Sequence, residues 1–226
     1  MINPAGNVLP LTHRSGAGLA AHAVACRRGR HLLFQGLDLQ LPPGSVTWLR
    51  GANGSGKTSL LRILAGLSEP ADGSVSWGGL PLRQAGAAAR AGMVYIGHAN
   101  ALKDDLSLLE AVAFLATLAG LDRPGSRAAA ALEQLGLNAR AQAPVRTLSQ
   151  GQRRRGALAR LLLDDAPRTW ILDEPFDALD SASVTALAAI IEAHAARQGA
   201  VLLTSHQAVA IRGAGEVDLE RWRLSA

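Results

Sequence analysis

The stretch GANGSGKT, Gly51–Thr58, constrains this chain more than any other. It has the spacing Gly, four residues, Gly, Lys, Thr. The apolar run Ser45–Arg50 before it reads as a strand. The segment Thr58–Leu67 after it carries helical spacing and stops at a glycine and then Pro70. Glycines at such a turn let backbone N–H groups wrap phosphate oxygens without side-chain clash. Lys57 then places a point charge on the outer phosphates, and the Thr58 hydroxyl suits Mg²⁺. Gly51, Ala52, Asn53, Gly54, Ser55, Gly56, Lys57 and Thr58 are therefore the first candidate ligand-binding residues. A loop of this kind needs a strand behind it and a helix ahead of it, which points to an α/β fold.

The rest of the chain agrees with that class. LLFQGLDLQL and the strand at Ser45 are joined by a Pro-Pro-Gly turn. DGSVSWGGLPL reads as a hairpin about Gly78 and Gly79, and MVYIG, Met93–Gly97, as another strand. Residues 105–142 carry apolar residues at helical spacing without strand signals, so a helical subdomain is expected at about 99–160. A helix after Gly151, the apolar strand TWILDE (Thr169–Glu174), a helix at Ser183–Gln198 and the strand AVLLTS follow. Strands alternating with helices imply a wound, parallel α/β sheet. Residues 1–18, rich in Gly and Pro, read as a loose tail, and 19–226 as one domain.

With 226 residues and 48% hydrophobic residues, the chain can bury a full core. Its longest uncharged apolar run, Ala111–Leu121, is too short to span a bilayer. The N-terminus has no basic start followed by an apolar block, and Cys26 stands alone, which excludes a disulfide framework. Both suit a cytosolic protein. The net charge of +5 is nearly all arginine spread along the chain, which argues against a nucleic-acid stripe. Lysine occurs only at Lys57 and Lys103; where arginine is the default cation, Lys57 marks a site that wants a compact ammonium.

Two further motifs carry chemistry. TWILDE ends in two carboxylates: Asp173 is placed for Mg²⁺, and Glu174, turned elsewhere by the strand pleat, to polarise a water. LSQGQRRR, residues 148–155, reads as a helix N-terminus built to hold an anion, with arginines adding to its positive end. A plain serine N-cap accounts equally for the helix itself. Yet a complete phosphate grip already exists at Gly51–Thr58.

Taken in order, GANGSGKT, LSQGQ, TWILDE, DALD (Asp177–Asp180) and LLTSH (ending at His206) resemble the ATP-binding cassette (ABC) family, from about Leu32 to about Val209. The resemblance implies a P-loop NTPase fold with a RecA-like core, a small antiparallel β part and an inserted helical subdomain. It implies ATP and Mg²⁺, with Lys57, Glu174 and His206 as catalytic residues. It also resolves the two grips: cassettes of this family pair head to tail, so Ser149, Gly151 and Gln152 of one copy would hold the γ-phosphate of ATP on the other. Asp177–Asp180 would then lie at the seam. With no membrane span in the chain itself, integral membrane subunits are the implied partners, at the cytoplasmic face of the inner membrane. Nucleic-acid-acting ABC ATPases usually carry a coiled-coil insertion or a second cassette, and the chain has neither.

Two departures from the family pattern stand out. Glutamine usually follows the strand equivalent to MVYIG; here it is His98, a candidate Mg²⁺ or partner sensor whose charge can change near neutral pH. That histidine, with LSQGQRRRGALARL and WILDEPFDALD, looks like the cassettes of the cytochrome c maturation (haem exporter) systems. A cassette of another importer or exporter would share every motif. Second, VACRRGRHLL lacks the usual base-stacking aromatic, leaving Arg27 or Arg28 to stack through its guanidinium plane.

Overall fold

The computed structural model describes residues 18–223. The expected tail, residues 1–18, lies outside the described residues apart from Gly18. In chain order the elements are β1 (Leu19–Arg28), β2 (His31–Leu41), β3 (Val46–Arg50), α1 (Lys57–Leu64), β4 (Asp72–Trp77), β5 (Leu80–Pro81) and α2 (Leu82–Gly92). Then come β6 (Met93–Ile96), α3 (Leu108–Leu118), α4 (Pro124–Gln134), α5 (Gln150–Leu158), β7 (Thr169–Leu172), α6 (Ser181–Ala196), β8 (Ala200–Leu203) and β9 (Ala214–Asp218).

Two sheets result. One is antiparallel, in the order β2-β1-β4-β5; the other is parallel, in the order β6-β7-β8-β3-β9. β2 and β3 do not pair: the Pro-Pro-Gly turn carries the chain from one sheet to the other. Gly78 and Gly79 both take positive φ and close β4 onto β5 with Trp77 opposite Leu80, the hairpin expected there. β1, α2 and β9 are elements that the sequence reading did not identify. β1 bends through register shifts between Ala21 and Arg27, which blur its alternation. α2 is broken at Gly86, and β9, AGEVD, is a half-exposed edge.

The parallel strands divide the core. Trp170, Leu172, Val201 and Leu203 face a cluster formed with α3, α4 and α5; Ile171 and Leu202 face a cluster with α1 and the antiparallel sheet. This alternation between two covered faces is what a central parallel strand requires. α1 fully buries Leu60, Leu61 and Leu64, each contributing about 1.5–3 kcal/mol. It ends a turn earlier than its apolar spacing suggests because Gly66 adopts φ 70 and Leu67 N–H closes back on the Arg62 carbonyl. α6 begins two residues earlier than expected because the Asp180 side chain accepts the Ser183 N–H at 2.8 Å. Among the described residues no helix is long and apolar enough to cross a membrane.

Candidate functional site

Every motif singled out after a strand lies at the carboxyl end of a parallel strand: Gly51–Thr58 after β3, His98 after β6, Asp173 and Glu174 after β7, His206 after β8. In an open α/β sheet that edge is where ligands bind.

Within the phosphate loop, Lys57 Nζ donates to the Gly51 carbonyl (2.8 Å) and the Ala52 carbonyl (3.2 Å). Gly54 and Gly56 take φ 80 and 107, a region that disfavours a side chain. At Gly56 space is short as well: an added Cβ would meet Phe34 and Leu33 of β2 at 3.1–3.2 Å. Ala52, Asn53, Gly54 and Thr58 are exposed. Ser55 Oγ is buried with no hydrogen-bond partner among the described residues, an orphan polar atom within the phosphate loop.

Thr58 Oγ1 donates to Asp173 Oδ2 at 2.9 Å, so two of the three residues expected at the metal, Thr58 and Asp173, meet; the ion-pair contact of the third, His98, is with Asp177. A hydroxyl and one carboxylate suit Mg²⁺, which takes few protein oxygens and completes its shell with phosphates and water. Thr204 Oγ1 donates to Asp173 Oδ1 (3.0 Å) and accepts the Glu174 N–H (2.9 Å). Glu174 Oε2 accepts the His206 N–H at 2.9 Å, and His206 Nε2 lies 3.5 Å from Glu174 Oε1.

Strand pleating does not set the direction of Glu174, contrary to the expectation from TWILDE. β7 ends at Leu172, and Glu174 sits at φ 48. A left-handed backbone, not strand alternation, turns its carboxylate away from that of Asp173, at a cost of about 1–3 kcal/mol. Arg154 holds this kink. It is 3% exposed, and its guanidinium donates to the carbonyls of Glu174 (2.8 Å), Asp173 (2.8 Å), Gly97 (2.9 Å) and Pro175 (3.4 Å). Burial pushes the guanidinium below its usual pKa, countered by Asp177, Asp173 and Glu174.

Ser149 caps α5: its hydroxyl accepts the Gln152 N–H (3.2 Å) and the Gln152 side chain accepts the Ser149 N–H (3.0 Å). Ser149 remains exposed, and Gly151 and Gln152 are half-buried. Of the arginines that follow, Arg153 lies back at the start of the helix, and Arg154 and Arg155 bond elsewhere. Arg153 donates to Leu148 and Arg146, Arg154 to the carbonyls above, and Arg155 to Leu135. Only the Arg154 bonds to Asp173, Glu174 and Pro175 are buried, where an acceptor left without a donor would be costly. Gly151 lies so near the Asp177–Asp180 segment that an added Cβ would fall 2.7 Å from the Ala178 carbonyl oxygen. Alanine in a helix ordinarily stabilises by about 1 kcal/mol over glycine; Gly151→Ala is expected to reverse that sign and lose about 1–3 kcal/mol, measurable by denaturant unfolding.

His98 is exposed, with Nδ1 3.8 Å from Asp177 Oδ2; the structure thus sets it beside the Asp177–Asp180 segment. Among the described residues no three His, Cys, Asp or Glu side chains converge as a metal site. Arg28 is exposed at the end of β1, and no hydrogen bond among the described residues joins it or Arg27 to the loop; Arg27 donates to the Arg30 carbonyl (3.3 Å). One neighbour of the loop escaped the sequence reading: Glu220 Oε1 accepts the Ala52 N–H at 2.8 Å.

The ABC transporter family model matches residues 34–177, and the chain belongs to that family: it is an ATP-binding cassette, an ATPase. Its relatives are narrower than the class. It is 48% identical over 199 residues to the cytochrome c biogenesis ATP-binding export protein CcmA of Methylococcus capsulatus, covering 88% of this chain and 96% of that one. Against the proteins of that name from Nitrosomonas europaea and Pseudomonas putida it is 47% and 46% identical, covering 84% and 90% of this chain and 88% and 97% of theirs. Among solved structures it resembles an ATP-binding subunit of an ABC transporter (TM-score 0.75, 25% identity, 84% of this chain and 79% of that one). The fold is shared with a dimeric bacterial ABC transporter cassette (TM-score 0.77, 20% identity, 89% of this chain and 94% of that one).

Proposed function

We propose that the chain is the ATP-hydrolysing subunit of a membrane complex for cytochrome c biogenesis, bound at the cytoplasmic face of the inner membrane. The observation that carries the chemistry is the hydrogen-bonded series Thr58–Asp173–Thr204–Glu174–His206, which joins the metal-suited oxygens to a largely buried carboxylate just beyond β7. The assignment to cytochrome c biogenesis draws support from relatives of that name, similar along most of the chain.

In this reading the backbone N–H groups of Gly51–Thr58 wrap the phosphates and Lys57 turns its ammonium to the β and γ oxygens. Mg²⁺, when bound at Thr58 and Asp173, supplies charge neutralisation between those phosphates. Glu174 accepts a proton from water as the water oxygen attacks the γ-phosphorus. The bond from that phosphorus to the bridging oxygen breaks, leaving ADP and phosphate. His206 fixes the Glu174 carboxylate through its backbone N–H and presents its ring toward the γ-phosphate. Ser149, Gly151 and Gln152 of a second copy complete the cage from across a head-to-tail dimer, and the Asp177–Asp180 segment lies at the seam. His98, beside Asp177, carries the state of the membrane partner to that segment, and Arg28 stacks on the base.

Affinity recovery of the tagged chain from native membranes tests the assignment. The integral membrane subunits of a cytochrome c maturation complex are expected. Recovery of an unrelated permease instead would defeat the assignment while leaving the ATPase chemistry standing.

A further inference from the structure

We propose that Glu220 is a positioning residue for the phosphate loop, a carboxylate clasp that holds the loop's first limb through the Ala52 N–H. The proposal deepens the nucleotide site of the preceding section and rests on that reading for its nucleotide measurements.

The topology delivers this residue. β9 runs parallel to β3 as far as Asp218 opposite Arg50, so the chain leaving β9 travels beside the chain leaving β3. Leu219 is fully buried, and a Cβ on Gly51 would meet the Leu219 Cβ at 3.4 Å and Glu220 Oε1 at 3.5 Å. Asp218 accepts the Glu220 N–H (3.0 Å) and fixes the turn. Glu220 then uses both oxygens: Oε1 takes the Ala52 N–H at 2.8 Å, and Oε2 takes Arg223 Nη1 at 2.7 Å. The Arg223 bond, then the Ala52 bond and the charges of Arg223 and Lys57, hold its carboxyl below the usual range, so it is ionised at neutral pH.

The same two residues, Gly51 and Ala52, are held from the other side by Lys57 through their carbonyls. A lysine that turns to both the β and γ phosphates must release at least one of those carbonyls, since an ammonium has only three protons to give. The Glu220 bond then remains to keep the limb in place while the phosphate is gripped. Arg223 balances the carboxylate's charge, so the clasp adds little repulsion toward the phosphates.

The test uses the full chain and three variants. Glu220→Met removes the acceptor at similar size, Glu220→Asp keeps the charge but falls one methylene short, and Glu220→Gln keeps a carbonyl acceptor at full length. Two readouts are compared: amide exchange of the segment containing Ala52 without nucleotide, and MgATP affinity with KM and kcat. For Met and Asp, exchange should rise at least about tenfold and KM about five- to tenfold, with kcat within about twofold, as loss of one charge-assisted bond predicts. Gln should stay within about threefold of the unaltered chain on every readout. Unchanged exchange and KM in Met and Asp would overturn the clasp, whatever the melting temperature does; so would equal impairment in Gln. If the unaltered chain bound no MgATP, the nucleotide reading would fall, while amide exchange would still decide the clasp.

Discussion

Replacing Arg154 with methionine should cost about 3 kcal/mol or more, because several buried carbonyls lose a charge-assisted donor. For a chain of this size that is a fall in melting temperature of roughly 6–12 °C. The guanidinium is almost wholly enclosed and donates to Gly97, Asp173, Glu174 and Pro175, three of the four carbonyls belonging to consecutive residues at the end of β7. No apolar side chain can serve those oxygens, and a lysine ammonium cannot reach both groups at once. Arg155, with a single bond to Leu135 at 3.3 Å, is the control and should cost less than about 1 kcal/mol as Arg155→Met. Calorimetric unfolding decides between them: equal, small shifts for both variants would mean that the Glu174 kink stands without Arg154. Activity should fall with stability at Arg154, since the same bonds set the left-handed turn that aims Glu174.

The second large effect lies in turnover alone. Glu174→Gln should lower kcat by about 10²–10⁴ while MgATP binding persists, because glutamine cannot take the proton of the attacking water. Its amide oxygen can still accept the His206 N–H, so the local geometry is kept. Phosphate release in a single turnover, set against retained nucleotide, separates the two steps; unaltered turnover would mean that another group is the base.

Legibility differed by element for physical reasons. The phosphate loop, the β7 carboxylates and the α5 cap could be read because each joins local chemistry to a strand or helix boundary. The parallel sheet followed from strand–helix alternation. β1 escaped because its bulges break the period-two pattern, and β9 because an exposed edge carries little hydrophobic signal. The Glu174 backbone was invisible because positive φ in a non-glycine residue is imposed by tertiary contacts, here Arg154 and Thr204. Arg154 was read as part of a basic cluster; only folding shows that its targets are carbonyls from two other loops. Glu220 lies far from the phosphate loop in sequence and meets it only through the pairing of β9 with β3, so no local pattern could place it.

The central claim is that a nucleotide held at Gly51–Thr58 of one copy is completed by Ser149–Gln152 of another. Light scattering of the Glu174→Gln chain with MgATP tests it most directly. The expected result is a particle of twice the single-chain mass that returns to one chain when Ser149→Arg is added, although each chain still takes up ATP. A particle of single-chain mass at saturating nucleotide, even with the membrane subunits supplied, would contradict the claim, as would a pair indifferent to the change at Ser149.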